Sequence, residues 1–350
     1  MRRYARTLVA FALATTVAAG SAGWASGNAQ QALTGPPPGT AAWRADHALG
    51  RELPDPGRNT PDEVARFFRG LTAAQQQALV VRHPLVVGNL DGVPVELRYQ
   101  ANALSLQASH DPRYARLAGS ARQRRRILAF DPRGRGQVAE VFGDLRTARH
   151  VAVVVPGSDI DAGTFDRTND VYGTPAGMAK ALYARTGPGS AVVAWAGYTT
   201  PVGLGIDAVT GSLAEAGAGR LTRFTDGLAA DGVPEPTVFC HSYGSVVCGL
   251  AASRLRAKDL VVLGSPGMRA DDVADLHTDA RVWAAKDATD WIGNVPNVEV
   301  AGLGHGPDPA APEFGARRVP ADDARGHTGY FAPGTDSLRA FAAITEGKAR

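Results

Sequence analysis

The sequence predicts an α/β fold in which helices cover both faces of a mostly parallel sheet, preceded by a helical N-terminal segment. Short apolar runs follow residue 136, with a weaker one at 298–303, and helical segments are expected near 175–186, 211–230 and 244–256. Near-continuous apolar strands that alternate with helices are typical of a parallel sheet buried on both faces. The 350 residues, 44% of them hydrophobic, suffice for such a core. The predicted strands are 138–142, 151–155, 191–195, 237–240, 260–263 and 282–285.

The first 27 residues are interpreted as a secretory signal peptide. Three arginines precede an Ala-rich apolar run that ends in small residues, which is the order found in such signals. The run is short for a membrane span, although an uncleaved N-terminal anchor is the alternative. We therefore expect a secreted or cell-wall-associated protein, with no stable membrane insertion once the signal is removed.

Two further segments are expected before the catalytic domain, which is predicted to span 136–346. Residues 28–59 are rich in proline and glycine and are interpreted as a linker. Residues 60–135 are expected to be mostly helical, interrupted by "GNLDGVP" at 88–94. Capping boxes at "TPDE" and "TAAQ", which begin at Thr60 and Thr72, indicate two of the helix starts.

The charge pattern argues against a nucleic-acid partner. The formal net charge is only +3. The densest basic cluster, at 122–126, is short, whereas a nucleic-acid reader usually needs a broader basic stripe interleaved with aromatics. This cluster is interpreted as a solvated helix face.

The stretch "TVFCHSYGSVV" at 237–247 carries the most specific chemical signal. It places Ser242 between an apolar strand and a helix, with Cys240 two residues before it and Gly244 two residues after. This is a G-x-S-x-G nucleophile elbow in which cysteine replaces the first glycine, and its tight turn requires small residues at both positions. Ligands gather at the carboxyl ends of parallel strands, where Ser242 lies. We predict that Ser242 is a nucleophile rather than a structural turn serine.

A nucleophilic serine needs a histidine base, and in this kind of sheet the chain order is serine, acid, histidine. His327 precedes the last helix-like segment and is the first choice, with His305 as the alternative. His277 is expected at the surface. His241, next to the nucleophile, is expected to be structural.

The acid should follow the strand in "RVWAAKD". Asp290 is preferred because apolar residues follow it and can anchor its loop, and Asp287 is the alternative. Asp271 and Asp272 are the third choice.

Two backbone amides are predicted to stabilise an oxyanion. One belongs to Tyr243 at the start of the helix, and the other to Ser158 in "VVVPGSDID". Asp159 and Asp161 lie in the same loop, but two nearby acids are weak evidence for a cation, and no metal site is assigned. No cofactor is required.

The chain resembles the actinobacterial α/β-hydrolase family first catalogued as a domain of unknown function. The stretches that carry the resemblance include "GDLRTARHVAVVVPGSDID", "VVAWAGYTTP", "CHSYGS", "RVWAAKDATDWI" and "GHTGYF", and the likeness runs from about residue 60 to the C-terminus. The resemblance implies an α/β-hydrolase fold, with Ser242, Asp290 and His327 as its triad. It also implies that the helical N-terminal segment belongs to the same unit.

We therefore expect a serine hydrolase, esterase- or lipase-like, that cleaves an ester or related acyl bond in a small-molecule or lipid-like substrate. An amidase or peptidase with the same triad is one alternative. A non-catalytic cell-wall or ligand-binding module is the other, because a fold does not fix a function.

The chain has two cysteines. Cys240 lies in the elbow, and Cys248 lies four residues after Gly244, one helical turn along the predicted helix. Export would place them in an oxidising compartment. The hypothesis is a disulfide that clamps the elbow, and the alternative is a pair of buried free thiols.

Overall fold

The computed structural model describes residues 29–119 and 125–349. The predicted signal peptide, and Arg122 and Arg124 of the basic cluster at 122–126, lie outside these ranges. Within them, none of the helices combines the length and the hydropathy needed to cross a membrane.

An eight-stranded sheet forms the centre of the molecule, in the order β1-β2-β4-β3-β5-β6-β7-β10. β2 runs antiparallel to both of its neighbours, and the remaining pairs are parallel. A separate short hairpin, β8–β9, lies outside this sheet. The strands are β1 (Ile127–Asp131), β2 (Gln137–Phe142), β3 (His150–Val155), β4 (Ser190–Ala196), β5 (Thr237–His241), β6 (Asp259–Leu263), β7 (Arg281–Ala285), β8 (Glu299–Val300), β9 (Leu303–Gly304) and β10 (Arg317–Arg318).

Helices cover both faces of the sheet, as the sequence predicts. α8 (Ser212–Ala230) and α9 (Gly244–Ala251) share one buried cluster with Val153, while α6 (Pro175–Thr186) and α10 (Asp336–Thr345) share another with the next strand residue, Val154. Successive side chains of a strand point to opposite faces, so a strand covered on both sides must be apolar throughout. For this reason the central strands can be recognised in the sequence as nearly continuous apolar runs.

Three strand assignments differ from the prediction. β1 lies inside 60–135, a segment expected to be helical, so the sheet begins before residue 136. The weak run at 298–303 forms the hairpin rather than a strand of the main sheet. β10 has only two residues, both exposed arginines, and pairs with β7 at the edge of the sheet.

The N-terminal helices form their own buried cluster beside the sheet. Both predicted capping boxes are present, at Thr60 with Glu63 and at Thr72 with Gln75. The helices are α1 (Thr40–Arg44), α2 (Pro61–Arg69), α3 (Ala73–Arg82), α4 (Pro84–Asn89) and α5 (Val95–Ala108), and a single turn, α7 (Ile206–Val209), follows later in the chain.

The helical segment is fastened to the sheet through α5. The Asn102 side-chain amide donates to the carbonyl of Gly88 at 3.0 Å and to the carbonyl of Ile127 in β1 at 3.1 Å. The buried Arg98 guanidinium donates to the same Gly88 carbonyl at 3.2 Å. These bonds join α4, α5 and β1 in one structural unit.

The segment interpreted as a linker is more ordered than its composition suggests. Trp43 on α1 is fully buried in the N-terminal cluster, and its indole N–H donates to the carbonyl of Pro54 at 2.7 Å. The amide of Leu33 donates to the Thr199 hydroxyl at 3.0 Å, which holds this part of the segment against the loop that follows β4. Proline and glycine therefore mark irregular backbone here, but that backbone packs against the domain.

Candidate active site

Ser242 lies on a sharp turn between β5 and α9, where a nucleophile elbow is expected. Its φ is 55°, in the left-handed region that a residue with a side chain rarely adopts. Its amide donates to the carbonyl of Leu263, at the end of β6, at 3.0 Å. Backbone strain of this kind persists only where the surrounding structure enforces it.

Two glycines allow the elbow to approach the end of β3. A Cβ on Gly157 would lie 2.6 Å from the Cβ of Ser242, so a larger residue would displace the serine. A Cβ on Gly244 would lie 2.7 Å from the carbonyl oxygens of Val155 and Pro156. The close neighbour of Gly244 is therefore the end of β3.

A disulfide joins Cys240 in β5 to Cys248 in α9, and their Cα atoms are 6.4 Å apart. Both residues are fully buried. The bond links the strand and the helix that flank Ser242, as the sequence hypothesis proposed.

Three side chains from distant parts of the sequence form a continuous hydrogen-bonded chain. The Oγ of Ser242 lies 2.8 Å from Nε2 of His327. The Nδ1 of His327 lies 2.8 Å from Oδ1 of Asp290. The structure therefore brings together the three side chains that the sequence singles out first.

The Asp290 carboxylate is buried, and it accepts several hydrogen bonds. Oδ2 accepts from the Tyr330 hydroxyl at 2.6 Å, and Oδ1 accepts from the Ile292 amide at 2.9 Å as well as from His327. Burial alone would raise the pKa of Asp290, but the interactions with His327, Tyr330 and Ile292 outweigh it and hold the pKa below its ordinary value. The group is therefore an ionised carboxylate that can only accept hydrogen bonds.

The alternative acids point elsewhere. Oδ1 of Asp287 accepts from the amides of Thr289 at 2.9 Å and Gly326 at 3.0 Å, so its carboxylate fastens the loop that precedes His327. Asp271 and Asp272 instead interact with Asp275 in their own loop.

The alternative bases are also occupied or distant. His305 is buried, and its Nε2 donates to the carbonyl of Ala208 at 2.8 Å, while its ring packs edge-on against Tyr243. Burial lowers the pKa of His305. His277 is exposed, as expected.

His241 supports the backbone of the proposed base. Its Nε2 donates to the carbonyl of His327 at 2.7 Å. Burial, together with the neighbouring His327, lowers the pKa of His241 to about 3, so its ring is neutral. The sequence predicted a structural histidine here but not its bond to His327.

Two amides near Ser242 are available to a ligand. Among the residues that the structure describes, neither the backbone N–H of Ser158 nor that of Tyr243 donates to any acceptor. Ser158 follows Gly157, which touches Ser242, and Tyr243 is the N-cap residue of α9. Both amides are therefore candidates for holding a negatively charged oxygen beside Oγ.

The two acidic residues of the loop that carries Ser158 stabilise that loop through hydrogen bonds and an ion pair. Oδ1 of Asp159 accepts from the Gly203 amide at 2.8 Å, and Asp161 binds the Arg135 guanidinium and the Gly163 amide. Within 29–119 and 125–349, no group of three or more His, Cys, Asp or Glu side chains is arranged to hold a metal ion.

Sequence reasoning missed two residues that shape the site. Tyr330 lies three residues after His327, in the quoted "GHTGYF", and is almost fully buried against Asp290. Gly264, directly after β6, leaves the space for both groups: a Cβ there would lie 2.8 Å from Oδ2 of Asp290 and 3.1 Å from the His327 ring. A glycine at the carboxyl end of a buried strand is the signal that could have indicated this close approach.

Comparisons with known proteins agree with this architecture. Residues 131–300 match a family model described as alpha/beta hydrolase. Together with the sheet topology and the elbow, this match confirms the α/β-hydrolase fold.

Curated relatives occur in two strains of Mycobacterium tuberculosis. Each is 30% identical to this chain over 375 aligned residues, covers 85% of it, and is described as an uncharacterized protein. The present chain spans 57% of the length of these relatives.

Solved structures are similar at a greater distance. The crystal structure of esterase PE8 is 15% identical, covers 59% of this chain and 96% of its own, and has a TM-score of 0.39. A predicted CIB-like hydrolase from Thermoplasma acidophilum is 13% identical, covers 61% of this chain and 93% of its own, and has a TM-score of 0.39.

Proposed function

We propose that the protein is a secreted serine hydrolase that cleaves an ester or related acyl bond through an acyl-enzyme. The observation that carries the proposal is the hydrogen-bonded chain from Ser242 through His327 to Asp290, with the serine on a strained elbow. A nucleophile bonded to a base, which is in turn oriented by a third group, is the arrangement that activates a serine.

The protonation states follow from the partners. Because the ionised Asp290 carboxylate can only accept, Nδ1 of His327 carries the proton of the neutral ring. Nε2 is then a free acceptor for the hydroxyl proton of Ser242. The imidazole is thus held in the tautomer that a general base requires.

In the proposed reaction, Oγ of Ser242 attacks the substrate carbonyl while Nε2 of His327 takes its proton. The amides of Ser158 and Tyr243 stabilise the oxyanion of the tetrahedral intermediate. His327 then protonates the leaving alcohol, which leaves the acyl group on Ser242. A water molecule, deprotonated by His327, hydrolyses the acyl-enzyme and regenerates the serine.

We expect Asp290→Asn to reduce kcat/KM for p-nitrophenyl acetate by about ten-thousandfold, since the amide can stabilise the wrong tautomer of His327. Asp287→Asn is the matched control, because the same change three residues away keeps an oxygen that accepts from Gly326. We expect this control to stay within about tenfold of the wild type. Similar losses in the two variants, measured by initial rates, would remove Asp290 from its proposed role.

We further propose that the protein acts outside the cytoplasm. A disulfide between Cys240 and Cys248 is compatible with an oxidising compartment, and the sequence of residues 1–27 resembles an export signal. Secreted material is expected to begin about 25–29 residues into the sequence and to contain no thiol that alkylates before reduction. Intact-mass and N-terminal sequence analysis of unreduced protein tests both points. An intact Met1 on membrane-bound protein, or two alkylated cysteines, would contradict the proposal.

A further inference from the structure

Exposed apolar side chains are concentrated at the edge of the molecule that carries Ser242. Ten large hydrophobic side chains stand exposed in the described chain, and six of them lie within residues 202–206, at residue 291 and within 300–303. Their exposed fractions range from 40% to 68%. The six residues, called the apolar rim below, are Val202, Leu204, Ile206, Trp291, Val300 and Leu303.

The first part of the rim, at 202–206, is fastened to the loop beside the nucleophile. The Gly203 amide donates to Oδ1 of Asp159 at 2.8 Å, and the Asp159 amide donates to the carbonyl of Pro201 at 2.8 Å. Asp159 lies two residues after Gly157, which touches Ser242. These bonds hold Val202 and its neighbours next to the proposed oxyanion site.

The hairpin that carries Val300 and Leu303 is joined to the same edge. The Arg269 guanidinium donates to the carbonyls of Gly302 at 2.8 Å and Gly304 at 3.2 Å, and the Arg269 amide donates to the carbonyl of His305. His305 in turn donates to the carbonyl of Ala208, in α7, at 2.8 Å. The hairpin and the α7 turn that follows the 202–206 segment are therefore connected through His305, whose ring also packs against Tyr243.

Trp291 brings the rim directly to the proposed base. Its ring lies 4.6 Å from the ring of His327, centroid to centroid, and 40% of the residue remains exposed. An indole in this position offers an apolar surface to any substrate group that approaches His327.

We propose that the apolar rim docks on the acyl-chain surface of aggregated lipid esters, so that the substrate is a water-insoluble lipid rather than a small soluble ester. This inference rests on the proposed function. A concentration of exposed apolar side chains marks an interaction site. A protein partner bound beside Ser242 would hinder the approach of a substrate, whereas a lipid surface there supplies the substrate itself.

The form of the apolar rim favours docking on a lipid surface over binding of a single acyl chain in a tunnel. Three cavities in the described part of the chain, of about 690, 350 and 180 Å³, are lined by neither Ser242, His327 nor any residue of the rim. The rim side chains are instead exposed to solvent, on segments that are bonded to the Ser158 loop and to Arg269 or, for Trp291, lie against the His327 ring. Such side chains fit the boundary of a lipid droplet or a membrane, where several can insert at once.

The test compares a double variant, which carries both Leu204→Asp and Val300→Asp, to a control variant that carries Val81→Asp. Val81 is 61% exposed, close to Leu204 at 68%, but it lies on α3 in the N-terminal segment. The readout is the rate on a tricaprylin emulsion divided by the rate on dissolved p-nitrophenyl acetate. We expect the double variant to lower this ratio by about tenfold or more, and the control to stay within about twofold of the wild type.

An unchanged ratio in the double variant, or an equal fall in the Val81 control, would overturn the proposal. Flotation with tricaprylin droplets separates it from the proposed function, because binding needs no hydrolysis. In the Ser242→Ala background, protein with an intact rim is expected to float and the rim variant to remain in solution. If the Ser242→Ala protein with an intact rim fails to float, the proposed binding to a lipid surface is refuted. If it floats but the wild-type protein cleaves neither ester, only the proposed hydrolase activity is refuted.

Discussion

Replacing Ser242 with alanine is expected to lower kcat/KM for an ester by on the order of ten-thousandfold to a millionfold. The variant lacks the atom that attacks the substrate carbonyl in the proposed mechanism, while the oxyanion amides and the apolar rim remain. The fold should survive, because the Ser242 hydroxyl bonds to the His327 ring but the backbone bond to Leu263 is unaffected. Initial rates together with thermal unfolding test both statements.

Ser253→Ala serves as the control for this experiment. Ser253 is exposed in the short turn that follows α9, so it lies on the same polypeptide segment but at the far end from the elbow. We expect this variant to keep wild-type activity. A Ser242→Ala protein that retains more than about a tenth of the wild-type rate would show that another group is the nucleophile.

Changing His327 to glutamine is expected to produce a loss of similar size, on the order of ten-thousandfold or more, because an amide cannot take the serine proton. His305→Gln is the matched change. Its amide N–H can still donate to the carbonyl of Ala208, which is the bond that His305 makes in the structure. We therefore expect that variant to remain within about tenfold of the wild type in kcat/KM.

The pair of histidine variants decides between two bases. Should His305→Gln be inactive and His327→Gln active, the base would be assigned to His305, and the 2.8 Å bond between Ser242 and His327 would need another explanation. Thermal unfolding of both variants is measured alongside, because His305 is buried and His327 is half-buried. A folding defect would lower both the rate and the melting temperature.

The central sheet was predictable because its strands share one sequence pattern, a short run of apolar residues. Strands covered on both faces are apolar at most positions, and this pattern located six strands to within about a residue at each end. β1, with the sequence "ILAFD", was missed because a five-residue apolar run does not by itself distinguish a strand from a buried helix segment. β10 consists of two exposed arginines and is defined only by its pairing with β7.

The candidate site was partly predictable for a different reason. The elbow at the end of an apolar strand, the chain order serine, acid, histidine, and the position of His327 before the last helix made Ser242, Asp290 and His327 the first choices. The preference for Asp290 over Asp287 depends on side-chain direction, which the structure supplies. Tyr330 could not be assigned, because its bond to Asp290 joins residues 40 positions apart.

The N-terminal segment shows the limit of composition as a guide. The density of proline and glycine indicated irregular backbone, which much of 29–59 is. It did not indicate that Trp43 would be fully buried or that Leu33 would bond to Thr199. Packing of irregular backbone depends on tertiary neighbours that are distant in sequence.

The most direct test of the central claim is to label the purified protein with a fluorophosphonate and locate the adduct by peptide mass spectrometry. Such a probe reacts covalently with an activated serine, so it reports the nucleophile whatever the natural substrate is. The proposal predicts one adduct, on Ser242, which disappears in Ser242→Ala and is much weaker in His327→Gln. An adduct on another serine, or no adduct on folded wild-type protein, would contradict it.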